Sequence, residues 1–322
     1  MVSLERRIVY CSRLQLVFLS ATWLAGTYVN GFVPIVPGTD AGTIVLDPAV
    51  ETHIALATLS AATGVFLVGL TWANGSRRAT ALALLATLSI VVAGGSGLAF
   101  VLGGGSDEVE SLTMATAFVT SVFLTFFSTA SLKTAGGPVP PAGVAVARAT
   151  GRVPLGLCYL ALILFYAVFV TGVYVNLFVV GPVLSLPLGR ELASFVQAER
   201  SAAFVAHEAL GAALLVMLAL LTTSLRIAGA RATSLASAVP VLLVAYSACV
   251  GLTDLVSPPV PAASPPSSGG LASTVVPMLS SAGLMAALII TMLLALKMRT
   301  GSREAEAVKV RTASSDGLVP PT

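Results

Sequence analysis

Gly26-Thr27-Tyr28-Val29-Asn30-Gly31-Phe32-Val33 returns later in the chain as Gly172-Val173-Tyr174-Val175-Asn176-Leu177-Phe178-Val179, with two of the eight positions changed. Each copy closes a long apolar stretch. The likeness continues outward from it. His53-Ile54-Ala55-Leu56 opens the next apolar stretch after the first copy, and His207-Glu208-Ala209-Leu210 opens the one after the second. Gly97-Leu98 is matched by Gly251-Leu252, and Met114 by Met278. The separation grows along the chain from 146 to 154 to 164 residues, as expected where helices keep their length and loops vary. The chain reads as a duplication of a four-segment unit.

The segments are membrane spans. Apolar residues make up 56% of the 322 residues and charged ones only 10%, a composition outside the soluble globular range. Eight stretches reach the roughly 20 residues that cross a hydrocarbon core about 30 Å thick. They lie near 14–36, 52–73, 79–103, 111–132, 155–182, 202–225, 233–256 and 273–296. Lipid offers the backbone no hydrogen-bond partners, and the stretches lack strand-like alternation, so helices are expected. The first stretch is too long for a secretory signal, and it has a counterpart in the fifth.

Charge fixes an expected orientation, because the cytoplasmic flanks of membrane helices collect Lys and Arg. With both termini inside, the inner segments hold all of the 17 basic residues except Arg190 and Arg200. The outer segments hold Asp40, Asp47, Glu51, Asp107, Glu108, Glu110, Glu191, Glu199, Glu208 and Asp254, ten of the 14 acids. A miscount of spans would invert every later loop and scramble this segregation. The expected fold class is an all-α integral membrane protein of eight spans in two parallel four-helix repeats, in the cell (inner) membrane with both termini cytoplasmic. The two halves, each crossing an even number of times, keep one orientation, with a pseudo-two-fold axis along the membrane normal. The expected divisions are a first repeat at 1–135, a Gly/Pro-rich linker at 136–152, a second repeat at 153–298 and a polar tail at 299–322. The net charge of +3 follows from topology, and no nucleic-acid partner is expected. The bilayer is.

His53 and His207, the two histidines of the chain, stand at matching sites just inside the outer end of a span. An ionisable group there raises a functional hypothesis. Imidazole is a common axial donor to haem iron, and helical bundles hold cofactors between their helices. Thioether is another such donor, which makes Met114 and Met278 candidate second ligands; alternatively His53 and His207 share one haem. Glu51 and Glu208 neighbour the histidines and are candidate proton carriers or plain helix-end acids. Tyr28 with Asn30, and Tyr174 with Asn176, suit either interhelical and interfacial bonding or contact with a cofactor or quinone. Cys11, Cys158 and Cys249 are too scattered for a disulfide framework or a Cys-x-x-Cys site. P-loop, dinucleotide and nucleophile-elbow motifs are missing.

Two parallel four-helix repeats with histidines at the outer ends of the second and sixth spans resemble the haem A synthase family, over nearly the whole chain to about residue 298. The resemblance implies b-type haem held by second-span histidines, at His53 and His207, and by fourth-span histidines, near whose places this chain has Met114 and Met278. It also implies a haem-modifying oxidoreductase with an acid a turn before its histidine, where this chain has Val50 followed by Glu51. Haem O synthase, terminal oxidase subunits or quinone are the partners it suggests, with haem-oxidase assembly or membrane electron transfer as the role. A non-haem transporter or structural membrane subunit is the expectation from a different class.

Overall fold

The computed structural model describes residues 4–32, 47–102, 107–132, 152–180, 201–256 and 279–299. Among these the chain is all-helical. The helices are α1 (Leu4–Phe32), α2 (Pro48–Ala73), α3 (Arg77–Leu102), α4 (Asp107–Ala130), α5 (Arg152–Val175), α6 (Ala202–Ile227), α7 (Arg231–Val256) and α8 (Leu279–Arg299). All eight contain a window long and apolar enough to cross a membrane, so this is a multi-pass membrane protein whose main solvent is lipid. α5 ends in a π-helical turn, Asn176–Val180. The linker up to residue 151 and the tail from residue 300 lie outside the described residues. α1 starts ten residues before the expected span. The apolar run marks the hydrocarbon crossing, whereas the helix continues through the headgroup layer, where Arg6, Arg7 and Arg13 are tolerated.

Local signals set the ends of the two central hairpins in matching ways. Asp47 caps α2, its carboxylate accepting from the Ala49 N–H at 2.8 Å ahead of Pro48 in the first turn. Ser201 caps α6, its hydroxyl accepting from the Phe204 N–H at 3.2 Å. At their other ends, α2 and α6 turn into α3 and α7 through Gly75 (φ +70°) and Gly229 (φ +76°), a left-handed conformation costly for other residues. The Ser76 N–H reaches back to the Thr71 carbonyl and the Ala230 N–H to that of Leu225, which closes each helix with a Schellman motif. Caps, turn glycines and histidines are all 154 residues apart. So are the buried faces, Ser60, Gly64, Leu67 and Thr71 in α2 against Leu214, Leu218, Leu221 and Leu225 in α6.

In the first half α1 packs on α2 and α4, and α3 lies between α2 and α4. In the second half α6 packs on α5 and α7. α8 joins them through the Ser247 hydroxyl, which donates to the Ser280 carbonyl at 3.0 Å, and the Cys158 thiol, which points at the Thr291 carbonyl at 3.4 Å. Val119, Val122, Thr125 and Phe126 on the buried side of α4 stand 166 residues before Met285, Leu288, Thr291 and Met292 on that of α8. The halves meet where α4 packs on α5 and where the Trp23 indole N–H donates to the Ser281 hydroxyl at 2.9 Å. The Trp23 ring also meets Phe118 and Phe169, with centroids 5.5 and 5.7 Å apart. Large apolar side chains such as Phe66 and Trp72 face outward, where lipid receives them without the penalty that water would impose.

Candidate functional site

Each histidine leans from the second helix of its half onto the first. In α2 the His53 ring lies over Gly26 of α1; a Cβ built at Gly26 would stand 2.9 Å from its Cε1. In α6 the His207 ring lies over Gly172 of α5 at the same 2.9 Å. Any side chain at either glycine would displace the imidazole. The glycine that begins both Gly-x-Tyr-Val-Asn segments is therefore a seat for a ring, a role that appears only once the two helices are packed.

The Nδ1 atoms find different partners. His53 Nδ1 lies 3.1 Å from the Thr22 carbonyl oxygen, which can only accept, so a neutral ring donates from Nδ1 and keeps the lone pair on Nε2. His207 Nδ1 lies 3.0 Å from the Thr171 hydroxyl. That hydroxyl gives its own hydrogen to the Ala167 carbonyl at 2.7 Å, so it accepts from Nδ1, and His207 takes the same tautomer. A hydrogen bond through one ring nitrogen that orients the other toward a metal is the usual support of a histidine ligand. Both rings are half-buried.

Tyr28 and Tyr174 are both exposed, at 44% and 45%, and Tyr174 stacks on Phe178 with centroids 4.9 Å apart. The Asn30 and Asn176 side chains lie outside the described residues, as does Met278. Met114 lies against Gly97 of α3, its sulfur 3.2 Å from where a Cβ would stand. Glu51 is exposed on the first turn of α2, where an acid complements the helix dipole, and Glu208 is exposed one turn further along α6, next to His207. Among the described residues no three of His, Cys, Asp and Glu come together. The donor set is thus one imidazole per half. A bare ion would need further protein donors, whereas a group that brings donors of its own would ask of the protein only an axial imidazole.

Sequence reasoning passed over Thr171, the two seating glycines and Gln15. A glutamine within an apolar span was the visible signal for the last. No protein-family model matches the chain, and no curated protein matches it.

Proposed function

We propose that this protein is a b-type haem-binding membrane protein, built as two parallel four-helix repeats with both termini cytoplasmic in the cell membrane, in which His53 and His207 ligate haem through Nε2. The observation that carries this reading is the pair of matched imidazoles. Each is seated on a glycine and held through Nδ1, and each keeps a lone pair on Nε2. The repeat reading is supported by the common 154-residue offset of caps, histidines, buried faces and turn glycines. On the 166-residue offset of α4 and α8, Met114 corresponds to Ser280, and the proposal rests on the histidines alone.

Haem bound there would supply one-electron chemistry, serving membrane electron transfer or haem-oxidase assembly. The chain's own part is to orient the imidazoles. The Thr22 carbonyl and the Thr171 hydroxyl hold the protons at Nδ1, and the glycines fix the ring planes. A reduced-minus-oxidised absorbance spectrum of the purified protein tests this. The expected result is a Soret band with b-type α and β bands, lost in the His53→Ala, His207→Ala double variant. A colourless protein after expression with excess haem would refute it.

A further inference from the structure

Gln15 of α1 is fully buried near the middle of its helix, and neither its amide nitrogen nor its amide oxygen has a hydrogen-bond partner. It lies against α2 and α3. A Cβ built at Gly64 would stand 3.1 Å from Gln15 Nε2 and 2.7 Å from the Thr87 hydroxyl. Thr125 of α4 reaches the same level. One turn away, the Thr129 hydroxyl bonds both the Ser12 hydroxyl and the Thr125 carbonyl. α1 and α4 run antiparallel, so the next turn of each sets Gln15 beside Thr125. The Thr125 hydroxyl is also fully buried and unpartnered.

Other threonines here, such as Thr71 and Thr87, satisfy their hydroxyls on the carbonyl four residues back, as polar side chains in membrane helices commonly do. Thr125 does not. An unpaired amide in hydrocarbon is costly, and two unpaired groups at one level of one bundle amount to a demand for a guest. Among the described residues the second half makes no such demand. At the corresponding positions it has Ala161 for Gln15, Leu218 for Gly64 and Val241 for Thr87, and Leu218 fills the space that Gly64 leaves to the polar groups.

We propose that Gln15, Thr87 and Thr125 form a buried hydration site in the first half that holds water, and that the second half is dry at this level. Water fits because the groups call for a guest that both donates and accepts. Gln15 Nε2 offers hydrogens, and Gln15 Oε1 offers lone pairs. The Thr87 oxygen offers a lone pair, since its hydrogen goes to the Ala83 carbonyl at 2.9 Å.

Gln15 and Gln197 are the only glutamines, so a Gln197→Ala protein labelled with 15N-glutamine shows a single side-chain amide in its NMR spectrum. The expected result is magnetisation transfer between that amide and water, in protein reconstituted in lipid nanodiscs. An amide without contact to water, or in contact with lipid instead, would overturn the site. A second measurement does not depend on that signal. With the native cysteines replaced by alanine, Thr125→Cys and Thr291→Cys place thiols at corresponding levels of the two halves. In D2O, infrared spectra should show S–H exchange at least about tenfold faster at position 125, and Gln15→Leu should abolish the difference. Equal rates, or a difference that survives Gln15→Leu, would rule the proposal out.

Discussion

The Trp23 indole meets the Phe169 ring edge-on, at 5.7 Å between centroids and 89° between planes, and the two residues are 146 apart, the offset of the repeated Gly-x-Tyr-Val-Asn segments. On the repeat reading, residues that correspond between the halves touch each other where the halves meet, and the pseudo-two-fold axis passes between them.

The contact should be measurable as coupling. Edge-to-face aromatic pairs contribute about 0.5–1.5 kcal/mol beyond their buried area. Trp23→Ala and Phe169→Ala, alone and together, are expected to show about 1 kcal/mol of coupling in unfolding from mixed micelles. Strict additivity would mean that the rings are neighbours without being partners.

The unequal supports of the histidines predict unequal mutants. Thr171→Val removes the acceptor of His207 Nδ1 and should weaken haem retention about tenfold, the usual effect of losing a group that orients a metal ligand. Thr22→Val should spare haem, because His53 uses the backbone carbonyl there. Haem titration followed at the Soret band compares them, and equal losses would contradict the assigned partners.

Glycines of α2 divide by what faces them. Gly64→Ala pushes a methyl into Thr87 and Gln15, and overpacking of this kind costs about 1–3 kcal/mol. Thr87→Ala should recover most of that loss. Gly69→Ala meets nothing within 4 Å and should be neutral or stabilising by up to about 1 kcal/mol. Thermal unfolding in one detergent ranks all three variants, and a Gly64→Ala protein as stable as the parent would show that the helices have room to part.

Orientation is open to direct labelling. In a protein freed of its native cysteines, Ser76→Cys and Ala228→Cys place thiols in the two matching turns. A membrane-impermeant maleimide added to whole cells should label neither, and added to inverted vesicles should label both. Labelling of either turn in whole cells would reverse the topology or the span count.

The spans were legible because lipid imposes a length and a composition that a linear scan detects; the cap Ser201 stands where the scan puts the start of its helix, whereas Asp47 caps α2 at a start four residues ahead of the expected span. The histidine pair was legible from scarcity and spacing. The purpose of Gly26 and Gly172 was not, since a glycine declares what it accommodates only when the neighbouring helix is in place. Counting from Met114 to Met278 offsets α4 and α8 by 164, whereas their buried faces differ by 166. A lone methionine pair is a poor ruler because thioethers suit many positions in an apolar helix. Gln15 escaped notice for a related reason. One polar letter in an apolar run looks tolerable until its partners are sought and found wanting.

The two glycine turns also bear on how the chain enters the bilayer during synthesis. Three residues, Asn74 to Ser76 or Ala228 to Ala230, separate helices that pack along their length, and the Schellman closure leaves no slack for one helix to enter far ahead of the other. α2 with α3, and α6 with α7, should therefore leave the insertion machinery as preformed hairpins. Arg77 and Arg231, just past each bend, would retain the turn on the side where synthesis occurs.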